Sequence, residues 1–135
     1  MLTDGEDTES ASGVEAGIAL ADGDFHVESG YMQGRALLTM RRRPTAIFAG
    51  SDLQAFGVYE AARQLGIRVP EDLSVIGFDD LPMVRWVGPP LTTISQPLSE
   101  MAATAARLVL GQGSDRRVEL ATSLVVRQST QGPAG

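Results

Sequence analysis

Two adjacent carboxylates, Asp79 and Asp80, end an apolar run in the stretch VIGFDDLPMVRW. Paired acids can serve catalysis, a divalent cation or the recognition of hydroxyl groups. A receiver-type phosphoacceptor site is disfavoured, because that chemistry needs a nearby lysine and the chain contains none. Asp80 suits a cap on the turn that follows it, a common use of Asp. Asp79 is the better ligand candidate, since an ionised carboxylate at a crevice rim accepts two charge-assisted hydroxyl bonds. A second polar pair, Ser51 and Asp52, follows the apolar run TAIFAG. Phe25, in GDF, offers either packing or an aromatic face on which a sugar ring stacks.

The other reactive residues carry less. His26 is the single histidine, and no G-x-S-x-G elbow exists to pair it with a serine nucleophile. No Walker loop, no G-x-G-x-x-G after a strand and no H-E-x-x-H occurs. The sequence therefore bears no enzyme signature and calls for no metal or cofactor. Arg41, Arg42 and Arg43 form the one basic cluster. Cations after a helix complement its dipole, by roughly 0.3–1 kcal/mol each. A net charge of −6 argues against nucleic-acid binding by this chain itself, which needs clustered cations against several phosphates.

These residues must be positioned by short alternating elements. ESGYMQGRALLTM reads as a helix, TAIFAG as a strand, and SDLQAFGVYEAARQL as a helix capped by Ser51 or Asp52 and closed at Gly66. LSVIGF is a strand, LPMVRW a helical turn, LTTIS a strand, PLSEMAATAARLVL a helix with Pro97 in its first turn, and LATSLVVRQS a last strand. Strands alternating with helices predict an α/β fold, a Rossmann-like parallel sheet flanked by helices. Continuous apolar runs such as AIFAG and VIGF suit strands covered on both faces. Ligands of such sheets sit outside the carboxyl ends of the strands, which brings Ser51, Asp52, Asp79 and Asp80 to one rim.

On a helical wheel Ala55, Val58, Tyr59, Ala62 and Leu65 form the sheet-facing stripe. Leu53 and Phe56 point the other way, as incidental surface residues or as a partner-binding face. In the later helix Leu98, Met101, Ala102, Ala105, Leu108 and Val109 form a broad stripe that needs a cover. Residues 1–13, MLTDGEDTESASG, are acidic and polar, have no signal-peptide h-region, and are expected to be disordered. Residues 131–135 are expected to be a loose tail. No apolar run approaches the ~20 residues that span a bilayer, and the absence of cysteine removes disulfide and thiol chemistry.

Three blocks together resemble a known family: PTAIFA-x-x-D-L, G-x-x-VPED-x-SV-x-GFDD and PPLTT-x-x-QP, in order, with GDFHVESGY before and SLVVRQST after. Over roughly residues 22–130 the chain resembles the effector-binding region of the lactose-repressor (LacI/GalR) transcription regulators. The resemblance implies a partial type I periplasmic-binding-protein-like fold, of which residues 14–130 supply mainly the C-terminal lobe. It implies a small-molecule, sugar-like effector, a homodimer in the cytoplasm, and DNA binding through a helix-turn-helix module that this sequence does not contain. The pocket residues it implies are Phe25, Ser51 and Asp79, with Ser51 standing where the family frequently has Asn. The dimer interface it implies involves Leu53, Phe56, Val84 and Val87. The helix over residues 97–110 packs, in the family, on the N-terminal lobe. Without that lobe the expectation is that it folds back on its own sheet, dimerises or frays, and that the chain by itself shows neither operator binding nor full effector affinity. A transport-type or stand-alone sugar-binding protein of the same fold is the alternative.

Overall fold

The computed structural model describes residues 24–112 and 117–133, together with four two-residue strands nearer the N-terminus. Those are β1 (Thr3–Asp4), β2 (Thr8–Glu9), β3 (Glu15–Ala16) and β4 (Ala19–Leu20). β1 pairs antiparallel with β4, and β2 with β3. The expectation of disorder over residues 1–13 falls largely outside the described residues; where it does not, Thr3–Asp4 and Thr8–Glu9 are paired strands. Such ladders satisfy backbone groups locally, without requiring a core.

The main sheet has four strands in the order β5 (Ala46–Phe48), β6 (Ser74–Asp79), β7 (Thr92–Ser95) and β8 (Ser123–Val125). The first three are parallel; β8 runs antiparallel to β7, so the sheet is mixed at its far side. A parallel neighbour needs a crossover of a dozen or more residues. The helix α2 (Asp52–Gln64) supplies one between β5 and β6. In register, Phe48 lies beside Ile76, and Asp79 beside Ser95. β5 therefore ends at Phe48, level with Ile76, and turns off to Ser51, while β6 continues for three more residues to Asp79.

α2 begins where the sequence predicts. Ser51 is its N-cap, and its hydroxyl accepts the Gln54 amide at 3.1 Å. At the other end Gly66 takes a left-handed φ of 68°. The Gly66 and Ile67 amides donate back to the carbonyls of Arg63 and Ala62, which closes a Schellman motif that only glycine enters cheaply. α1 (Val27–Leu38) packs closely on α2. Gly30 and Gly57 face each other's helix backbone there, and a Cβ on either would collide with it.

The core gathers Leu37, Leu38, Ala55, Val58, Ala61, Ala62, Leu73, Val75, Val84 and Leu91. Tyr59 and Leu65 of the expected α2 stripe are half-buried against it. The Tyr59 hydroxyl donates to the Pro89 carbonyl at 2.9 Å, and burial pushes the phenol up to about 12. The tail is less loose than expected at its start: the Gln131 side-chain amide donates to the Glu71 carbonyl at 3.0 Å, and its backbone amide to Ser74.

α3 (Leu98–Val109) is a continuous helix with Pro97 just ahead of it rather than inside its first turn. Its apolar stripe is exposed, and Val109 retains 86% of its surface. Among the described residues it does not fold back on the sheet, contrary to one of the outcomes expected for it. Thr104 is its one buried residue, bonded to Arg107.

Candidate functional site

The carboxyl ends of β5, β6 and β7 carry the polar residues Ser51, Asp52, Asp79, Asp80 and Gln96. Asp79 is partly exposed. Its Oδ1 accepts the Gln96 side-chain amide at 2.8 Å. Burial pushes its carboxyl above the ordinary range, the negative charge of Asp52 pushes the same way, and the Gln96 bond pulls back. Phe25 stands beside this rim with 62% of its surface exposed. Its ring edge would lie 3.4 Å from a Cβ on Gly50, an ordinary van der Waals contact, so the ring packs alongside that position.

Asp79 and Asp80 both have left-handed φ angles, 124° and 58°. Two successive non-glycine residues in that region carry a conformational cost of order 1–3 kcal/mol each. Neighbours fix them in place. The Asp80 carboxylate pairs with the Arg127 guanidinium at 2.7 Å, both side chains being mostly buried. The next amide, Leu81 N–H, donates to Asp52 Oδ2 at 2.8 Å. Asp52 is itself fully buried, and its Oδ1 accepts the Thr93 hydroxyl at 2.6 Å.

A periplasmic binding protein-like domain model matches residues 6–130. The HTH-type transcriptional repressor PurR of Erwinia tasmaniensis is 39% identical over 130 residues, covering 88% of this chain and 38% of that protein. The lac repressor dimer bound to operator and the anti-inducer ONPF superposes with a TM-score of 0.75 at 34% identity, over 82% of this chain and 40% of that one. The chain belongs to the lactose-repressor-type, periplasmic-binding-protein-like family. It spans 38% of the length of that curated relative. A further family member of known structure, the LacI family regulator from Arthrobacter sp. FB24 in complex with lactose, matches with a TM-score of 0.74 at 31% identity, over 84% of this chain and 44% of that one.

Within this family member the expected pocket residues fare unequally. Phe25 and Ser51 meet directly: the Ser51 hydroxyl donates to the Phe25 carbonyl at 2.9 Å. That bond uses its single proton, while Gln54 takes a lone pair, and the residue is buried. Ser51 is thus a cap and a tie to the Phe25 turn, with its hydroxyl proton committed to that carbonyl. Asp80 does not cap the 3-10 turn Pro82–Arg85, whose N-cap Leu81 has no side-chain bond. Its carboxylate goes to Arg127 instead, because a mostly buried guanidinium needs an anion. Val84 departs from the expected partner face: it is fully buried in this chain's own core. Leu53, Phe56 and Val87 are half-buried.

Sequence reasoning missed Gln96 and Arg127. Gln96 is the polar residue just past the end of β7, so the strand-end rule that picked out Ser51 and Asp79 also reaches it. Arg127 follows β8 in SLVVRQS, and nothing local distinguishes it from a surface cation. Among the described residues, no group of three or more acidic, His or Cys side chains gathers to hold a metal. No described helix is long and apolar enough to cross a membrane.

Proposed function

We propose that this chain is the effector-sensing part of a lactose-repressor-type transcription regulator, binding a polyhydroxyl, sugar-like molecule at the carboxyl ends of β5, β6 and β7. The carrying observation is the Asp79 carboxylate, partly exposed at a parallel-strand end and held on one oxygen by Gln96. An acceptor of this kind selects ligands that donate hydroxyl hydrogens. Gln96 donates its amide hydrogen to Asp79, which leaves its own carbonyl as a second acceptor. Phe25 supplies the apolar face on which a ring stacks. The lactose complex of the Arthrobacter regulator supports the sugar class.

In this reading the chain is a sensor in the cytoplasm and not an enzyme. It works as a homodimer, and operator DNA is read by a helix-turn-helix module outside these 135 residues. The effector closes two lobes around itself and shifts the dimer between operator-competent and incompetent states. It does so only by the difference in its affinity for the two. The partner face comprises the outward side of α2, with Leu53 and Phe56, and the segment through Val87.

Calorimetric titration with lactose, ribose and sucrose tests the reading. A saturable heat with one of them, weakened about tenfold or more by Asp79→Asn, is expected, because the neutral amide loses a charge-assisted acceptor. No heat with any of the three, or binding indifferent to Asp79→Asn, rules it out.

A further inference from the structure

We infer that Arg127 is a positioning residue for the ligand carboxylate of Asp79, acting as a clamp on the strained turn that presents it; the inference rests on the sensor reading above. Asp79 and Asp80 both sit at left-handed φ, and neither is a glycine. Such a turn persists only where its surroundings over-determine it. Three consecutive residues are each tied to a different element. Asp79 is held by Gln96 after β7, Asp80 by Arg127 after β8, and Leu81 by Asp52 at the start of α2.

Arg127 is the widest of these ties. One guanidinium nitrogen donates to Asp80 Oδ1 at 2.7 Å and the other to the Leu91 carbonyl at 2.9 Å. Its backbone amide donates to the Thr92 hydroxyl at 2.9 Å. One planar, always-charged group thus locks the turn after β6 to the start of β7, from a residue some 47 positions distant in sequence. With the clamp in place, Asp79 aims its carboxylate at Gln96 and the rim. Without it, the backbone at Asp80 relaxes out of the left-handed region, and the acid beside it turns away.

Substitution at Asp80 separates the clamp from a merely structural ion pair. Asp80→Ala and Asp80→Gly both delete the pair and leave Arg127 equally unanswered. Only alanine keeps the penalty at φ 58°, since glycine adopts that angle freely. Two readouts apply to the whole chain: the NMR signal of the Gln96 side-chain amide without ligand, and calorimetric titration with lactose. Asp80→Ala is expected to lose the Asp79-bonded Gln96 signal and to bind lactose about tenfold more weakly, the scale of one strained residue. Asp80→Gly is expected to keep most of both, and Arg127→Met to behave as Asp80→Ala does. If Arg127→Met fails to fold, the alanine–glycine pair decides alone. A Gln96 signal that responds alike in the alanine and glycine variants overturns the clamp. If lactose binds no variant, wild type included, the lactose assignment has failed, and the Gln96 signal still decides the clamp.

Discussion

The buried carboxylate of Asp52 accepts the hydroxyl of Thr93 at 2.6 Å, joining the first residue of α2 to the second residue of β7. Its other oxygen holds the Leu81 amide. An acid in the first turn of a helix also suits the helix dipole. One side chain therefore fixes α2, β7 and the turn after β6 relative to one another, and the proposed ligand rim lies where these three meet.

Removing that carboxylate leaves Thr93 and Leu81 with buried donors and no acceptor. Asp52→Ala is expected to cost roughly 3 kcal/mol, within the range for breaking a buried charge-assisted bond. Asp52→Asn retains an acceptor oxygen and is expected to cost less. Urea denaturation followed by circular dichroism measures both; equal stability of the alanine variant and wild type contradicts the role given to Asp52.

Gly77 is small because of the same carboxylate. A Cβ there would collide with Asp52 Oδ1 and lie 2.9 Å from Leu91 Cδ2. Gly77→Ala is expected to destabilise by about 1–3 kcal/mol through overpacking. Because the two residues share one space, Asp52→Ser combined with Gly77→Ala is expected to cost less than the sum of the single changes. A double-mutant cycle in urea reads the difference, and strict additivity counts against the contact.

Much of this arrangement was legible in the sequence, for reasons that remain local. Continuous apolar runs gave β5 and β6, LTTIS read as the strand after them, and Ser51 and Gly66 punctuated α2 because capping and left-handed closure depend on near neighbours. The carboxyl-end rule then placed Asp79 on the rim. What remained hidden was where polar side chains point. The partner of Asp80 lies on a segment that only β8 pairing brings near, and its choice of Arg127 over the adjacent turn is a matter of burial. Ser51 suited a ligand by type, yet the carbonyl of Phe25 claims its proton. Val84 was assigned to the partner face by the family resemblance of its segment, whereas this turn directs its valine into the core.

The raised carboxyl of Asp79 sets a pH dependence. The native state favours the protonated form, so its stabilising contribution is present below the ordinary value of 3.8 and is lost as pH rises through the native pKa. At neutral pH the charge is therefore a small cost to the fold. Asp79→Asn keeps an oxygen for Gln96 and removes the charge. It is expected to raise stability by a few tenths of a kcal/mol at pH 7, the group being partly exposed and its charge screened by solvent. That gain should vanish near pH 3. Thermal melts at the two pH values decide it; a gain larger at pH 3 than at pH 7 has the wrong sign.

Trp86, just past the 3-10 turn, is 86% exposed, and Met83 within the turn is half exposed. A large indole left in water beside the half-buried Val87 is the kind of anchor on which a second copy closes. It is also the chain's single tryptophan, so its fluorescence reports on that face alone. If the proposed homodimer forms there, emission moves to shorter wavelength as concentration rises, in step with the mass seen by sedimentation. Trp86→Ala should then weaken dimerisation by about 2 kcal/mol, roughly 30-fold in Kd. Val84→Ala should instead lower the stability of each protomer by about 2 kcal/mol, because its side chain fills the core. A water-exposed emission at every concentration, with monomeric mass throughout, removes this face as the dimer contact, since no partner would then be drying the indole.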